Sequence, residues 1–86
     1  MSIHLIQRRA GYDAAIASAQ PADAIVLLGE GVAAVLDGAA NCYASREDLR
    51  ARGLLTHAHP TVTPIDDGEV VTLCAEHSPC VTWTSP

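Results

Sequence analysis

The chain has 86 residues, of which 49% are apolar, and it contains one Trp, two Tyr and no Phe. Ten acidic residues against five basic ones, all Arg, give a formal net charge of −5. This balance, with so few aromatic platforms, argues against direct contact with RNA or DNA, where phosphate neutralisation dominates affinity. A chain of this length is read as one domain, residues 1–86, burying only about 60% of its unfolded surface. Its small Ala- and Val-rich core predicts thin layers helped by subunit contacts, with self-association of the chain alone also open. The start of the sequence shows no secretory signal, and no apolar run approaches the roughly 18 residues of a membrane span. Three Cys form an odd set outside any secreted disulfide framework, so a cytoplasmic location is expected.

In chain order, "IHLIQ" (3–7) reads as a strand and "GYDAAIASA" (11–19) as a helix with Tyr12, Ile16 and Ala19 on one face. "DAIVLLG" (23–29) is almost wholly apolar, as befits a strand covered on both sides. "EGVAAVL" (30–36) predicts a short helix stopped near "DG" (37–38), and "NCYAS" (41–45) a third strand. The helix over 46–52 has the clearest punctuation: Ser45 as cap, Asp48 completing an S-x-x-D capping box, Arg50 and Arg52 at the cation-favouring end, and Gly53 as stop. After a loop over 55–61, "VTPID" (62–66) is a strand in which Pro64 removes a ladder donor, so it must be an edge, irregular or very short. Asp66 and Glu69 open a helix over 67–77 that places Val70, Leu73, Cys74 and His77 at three- and four-residue spacings. Ser78 and Pro79 stop it, and "CVTW" (80–83) is the last strand. Strands alternating with short helices predict an α/β fold, a small three-layer sandwich with a mostly parallel sheet of about five strands.

Chemistry-bearing residues are few. "CAEHSPC" (74–80) sets Cys74, His77 and Cys80 at three-residue spacing, with His57 and His59 upstream as sources of a fourth metal ligand. The competing reading has Cys74 packing inward, His77 complementing the helix end and Cys80 beginning a strand; a Cys74–Cys80 disulfide is conceivable but disfavoured in a reducing compartment. Cys42, within the third strand, reads as a small core residue rather than the exposed thiolate a persulfide carrier needs. Arg46, Arg50 and Arg52 could hold an anion, yet beside Glu47 and Asp48 they more often form a self-paired surface. The two loop histidines read as solvated. No catalytic triad, tuned carboxylate pair or nucleotide-binding loop is implied, so no cofactor is expected.

"IHLIQR", "EGVAAVLDG", "CYASREDLRARGL" (42–54), "PIDDGEVVTLCAEH" and the closing "VTW" follow one another in an order that resembles the TusB/DsrH family. The resemblance covers nearly the whole chain, and His4 matches an early His of that family. Four positions depart from it: the first helix has no Cys, "RRAG" (8–11) replaces a Ser-Pro turn, Asp67 and Val70 stand where Tyr and Phe are common, and Pro64 falls within a strand. The resemblance implies a DsrE-like fold and a subunit without catalytic activity of its own. It would assemble with homologous TusC/TusD-like (DsrF/DsrE-like) subunits into a two-fold hexamer. In the Tus version, persulfide sulfur passes from a TusA-like donor toward 2-thiolation of the tRNA wobble uridine; the Dsr version serves sulfur oxidation. The main sulfur-carrying Cys would lie in the TusD/DsrE-like partner, and Arg8, Arg9, Arg46 and Arg50 are the interface candidates here. The rival expectations are a sulfurtransferase or redox protein carrying persulfide on Cys80 or Cys42, and a small metal-binding module on Cys74, His77 and Cys80.

Overall fold

The computed structural model describes residues 2–38, 41–77 and 79–83, except the side chain of Asp37. The elements are β1 (Ile3–Ile6), α1 (Arg9–Ser18), β2 (Ala24–Leu27), a 3₁₀ helix (Gly29–Asp37), β3 (Tyr43–Ser45), α2 (Arg46–Ala51), β4 (Thr63–Ile65), α3 (Asp67–Glu76) and β5 (Cys80–Trp83). The strands form one five-stranded sheet in the order β4-β3-β2-β1-β5, and every pairing is parallel.

This order dictates the layers. Crossovers between parallel strands are right-handed, so three successive steps in one direction, β1 to β4, put their connections on one face. The return from β4 to β5 runs the other way and puts α3 on the opposite face. The core divides accordingly. Ile6, Ile25, Leu27 and Ala44 of the strands pack with Ala15 of α1, Val32 and Val35 of the 3₁₀ helix and Leu49 of α2. On the other face Ile3, Ala24, Val26 and Ile65 meet Val70, Leu73 and Cys74 of α3. Fully burying such an aliphatic side chain stabilises by about 1.5–3 kcal/mol. Ile3, Val26 and Ile65 are at that limit on the α3 face, all three supplied by strands, whereas α3 itself buries no residue completely. That helix is held by half-buried contacts, and Val71 stays exposed.

Two helices differ from the sequence expectation, each for a packing reason. In α1, Ile16 points outward, and the buried row is Gly11 and Ala15, with Ala19 beyond it packed against the core. Small residues four apart let the helix lie close to the edge strand: a Cβ on Gly11 would stand 3.1 Å from the Cβ of Trp83. The segment after β2 is a nine-residue 3₁₀ helix rather than an α-helix. Its buried positions are Gly31 with Ala34 and Val32 with Val35, two rows of period three, which suit three residues per turn. Leu36 falls on the outward row and is exposed, a cost of that period. Gly38, in the left-handed region at φ 93°, ends the helix as the "DG" signal predicts.

The punctuation of α2 is built as expected at its C-terminus. Gly53, at φ 68°, donates to Arg50 O, and Leu54 donates to Leu49 O, the paired bonds of a Schellman motif. Leu49 and Leu54 are both in the core, closing the motif with an apolar contact. At its N-terminus Ser45 Oγ accepts from Asp48 N, but the Asp48 carboxylate turns away to accept from Gly29 N at 2.8 Å, tying α2 to the 3₁₀ helix. The reciprocal box forms on α3 instead, where Asp66 and Glu69 each accept from the other's backbone N–H. β4 is an edge strand of three residues, which explains Pro64. Thr63 N donates to Cys42 O, so Thr63 faces β3 and the next residue, Pro64, faces away, where no ladder donor is needed. Of the stop before β5, Ser78 lies outside the described residues, while Pro79 O accepts from Ile3 N.

A polar chain threads the sheet beneath α1. Trp83 Nε1 donates to His4 Nδ1 at 3.1 Å, and His4 Nε2 lies 3.0 Å from Asp23 Oδ2. An indole N–H can only donate, so His4 Nδ1 is the acceptor and the ring proton sits on Nε2, donating to Asp23. The Asp23 carboxylate also accepts from Gln20 N and Ser2 N. These two backbone donors, with His4 third, hold its carboxyl at about 2 against an ordinary 3.8. A depressed folded-state value means that the contribution to stability is complete above pH 3.8 and is lost as pH falls through about 2. In Asp23→Asn this part of the acid dependence is expected to disappear, so that thermal melts lose less stability between those two pH values than wild type. Equal acid slopes in the two proteins would contradict the assignment.

Candidate functional site

In an open parallel sheet, binding crevices form beyond the carboxyl ends of strands where successive helices leave to opposite faces. Here that point lies between β3 and β4, since α2 and α3 flank opposite sides of the sheet. A crevice of about 390 Å³ opens there, lined by Ser45, Arg46, Glu47, Arg50, Asp66, Asp67 and Gly68. The same local rules that start the two helices furnish it: a cap at each N-terminus, and acidic residues in each first turn. Both caps are occupied, because the Ser45 hydroxyl and the Asp66 carboxylate already accept backbone N–H groups of their own helices. Arg46 Nη2 donates to Pro64 O at 3.1 Å and so covers the outward edge of β4. Two cations and three carboxylates therefore share the crevice. Such mixed charge suits complementary ion pairs with another protein surface better than it suits a polyphosphate.

The four arginines singled out in the sequence fall into two groups on this same end of the sheet. Arg46 and Arg50 line the crevice after β3, while Arg8 and Arg9 follow β1, one strand beyond β2. Arg8 Nη1 lies 3.8 Å from Glu30 Oε2, both largely exposed. An exposed pair of this kind adds about 0–1 kcal/mol, so both partners can exchange it for other contacts at little cost.

The thiols are placed quite differently from one another. Cys42 precedes β3 and is 5% exposed, in the core beside Ala44 and Val62. Burial pushes its thiol up to about 11, which keeps it protonated and unsuited to carrying persulfide. Cys80 is exposed at the start of β5 and Cys74 is half-buried on α3, with their sulfurs 3.8 Å apart. Partial desolvation, then the neighbouring Cys74, raise the Cys80 thiol, and either sulfur can donate to the other. His77 does not join them. Its Nδ1–H and its backbone N–H both reach Leu73 O, closing the end of α3. His57 and His59 are exposed in the loop, and His59 Nδ1 is engaged by Thr61. Among the described residues no three His, Cys, Asp or Glu side chains converge as metal ligands, and no helix is long and apolar enough to cross a membrane.

In the sequence Asp23 shows only as the start of the second strand and His4 only as a strand residue that matches an early His of the family, with no sign that the two pair. Their partners are 19 and 79 residues away in the chain, beyond the reach of any spacing rule.

Comparison with known proteins bears out the family resemblance. Residues 7–80 match the family described as DsrH like protein. Protein TusB of Erwinia tasmaniensis is 34% identical, and Protein TusB of Shigella dysenteriae serotype 1 is 35% identical. Protein TusB of Escherichia coli is 37% identical, and each of the three alignments covers 71% of this chain and 75% of the relative. With the match running from the residue after β1 to the first residue of β5, the chain belongs to the TusB/DsrH family.

Proposed function

We propose that this protein is a non-catalytic subunit of a TusBCD/DsrEFH-like sulfur-relay complex in the cytoplasm, where it supports persulfide transfer toward 2-thiolation of the tRNA wobble uridine. Family membership over residues 7–80 carries this reading and supports a sulfur-relay subunit. The site geometry is in keeping with it. The crevice between β3 and β4 is lined by charge, its one hydroxyl is spent on a helix cap, and the most reaction-shielded thiol, Cys42, is part of the core. In this reading the chain shapes the assembly around a TusD/DsrE-like partner's cysteine. A TusC/DsrF-like subunit completes the complex and a TusA-like donor feeds it. Arg8, Arg9, Arg46 and Arg50 face the partner subunits, and tRNA is served without direct contact.

A second reading has this chain carry the sulfur itself, and the exposure of Cys80 is what favours it. One experiment separates the two. Deleting the gene in its host is expected to abolish 2-thiouridine at the wobble position, measured by nucleoside mass spectrometry. A copy with Cys42→Ser and Cys80→Ser should restore it. Restoration by wild type alone would transfer the role to a thiol of this chain. Unchanged thiolation after deletion would contradict the tRNA assignment and leave the sulfur-oxidation role of DsrH-type proteins.

A further inference from the structure

Cys74 and Cys80 come from different elements yet meet on one face of the sheet. Cys80 pairs in register with Ile3, whose side chain packs on the α3 side, and parallel partners point the same way. Cys74 lies on α3 above that face. The two sulfurs, 3.8 Å apart, are both free, one half-buried and the other exposed on an edge strand. Cysteines that served only to fill space would be buried together; here one remains open to a reactant and the other stands directly behind it.

We propose that Cys74 and Cys80 form a redox dithiol that reduces a sulfur–sulfur bond, offered as a disulfide or a persulfide, and closes into an intramolecular disulfide. The inference concerns this chain's own chemistry and goes beyond its role as a subunit. The Cys80 thiolate attacks one sulfur of R–S–S–X, where X is an organic group in a disulfide and hydrogen in a persulfide. A Cys80–sulfur bond forms, the other sulfur leaves as a thiolate or as hydrosulfide, and it takes up the proton that Cys80 released. The Cys74 thiolate then attacks Cys80 Sγ and expels the remaining sulfur, which takes up the proton of Cys74. Two thiols are oxidised by two electrons, and the bond between the two donor sulfurs is reduced to R–SH and X–SH, the latter being hydrogen sulfide when a persulfide is the donor.

The geometry separates the two steps in rate. Cys80 is the exposed thiol and meets the donor first, in a bimolecular step. Closure is intramolecular between sulfurs already 3.8 Å apart, which need only reach about 2.05 Å, and such placement gives a large effective concentration. The intermediate on Cys80 therefore does not accumulate. The resting dithiol also fits a reducing compartment, where disulfides are transient rather than structural.

The test equilibrates the whole chain with graded ratios of reduced to oxidised glutathione in one arm and with glutathione persulfide in the other. Free thiols are alkylated, and intact and peptide masses are read. Wild type should lose two hydrogens, with Cys74 and Cys80 protected together and at least about tenfold more closed disulfide than Cys80 adduct. Closure in the first arm identifies disulfides as donors, and closure with hydrosulfide release in the second identifies persulfides; either supports the proposal. Cys74→Ser should trap the glutathione adduct or the persulfide on Cys80. Wild type that stays reduced in both arms, or that accumulates an adduct on Cys80 without closing, would overturn the proposal without any variant having to fold.

Discussion

Gly31→Ala is expected to be the most damaging single methyl group in this chain. A Cβ there would stand 2.1 Å from Ile6 O and 2.9 Å from Ile6 C, backbone atoms of a central strand that cannot step aside. Gly31 N also donates to Leu28 O and Gln7 O, so the start of the 3₁₀ helix is fastened to the end of β1 on the same few atoms. Overpacking typically costs about 1–3 kcal/mol and exceeds that where rigid backbone is struck. For a domain of this size, 1 kcal/mol moves the melting temperature by about 4–8 °C, so a fall on the order of 10–20 °C is expected, or no stable fold at all. Gly68→Ala is the control. Its nearest neighbour would be a side-chain oxygen at 3.4 Å and the site is helical, so it should be neutral or stabilising by up to about 1 kcal/mol. Equal effects from the two substitutions in thermal or urea unfolding would contradict the packing described for β1 and the 3₁₀ helix. This glycine lies in the "EGVAAVLDG" stretch, one of those that carry the resemblance to the TusB/DsrH family.

His4→Phe ranks next. It removes both bonds of the Trp83–His4–Asp23 chain and strands the Trp83 N–H and one Asp23 acceptor position in a partly buried setting. Leaving such groups without partners costs about 1–3 kcal/mol. Trp83→Phe removes one of the same bonds and leaves His4 Nδ1 without its donor, for a loss of similar size. Because the two changes share that bond, the double variant should lose less than the sum, with a coupling of about 0.5–3 kcal/mol in a urea-unfolding cycle. Strict additivity would show that the Trp83–His4 bond contributes nothing to holding edge strand β5.

Much of the fold is legible in the residues because its signals are local. The Ser45 cap, the Gly53 stop and the Asp66–Glu69 pair each act within one helical turn, and each is found where the sequence places it. The apolar run of β2 announces a strand covered on both faces, and Pro64 announces an edge. What fails to show is set by distance. The carboxylate of Asp48 satisfies the S-x-x-D pattern on paper, yet it serves Gly29, 19 residues away. Ile16 looks like the inward residue of α1 by hydrophobicity, but only the Gly11–Ala15 row is small enough to let the helix approach Trp83. The 3₁₀ form of residues 29–37 suits its two buried rows of period three, which a periodicity count over so short a stretch does not separate from an α-helix. At the site, spacing alone offers Cys74, His77 and Cys80 as a set. The structure keeps the two sulfurs together and turns His77 back to the helix end.

The claim that this chain is a structural subunit of a sulfur relay is tested most directly by native mass spectrometry after co-expression with TusC-like and TusD-like proteins of the same organism. The account predicts a two-fold heterohexamer with two copies of each chain, weakened when Arg46 and Arg50 are both changed to Glu. A chain that remains a lone monomer in the presence of both partners would contradict it.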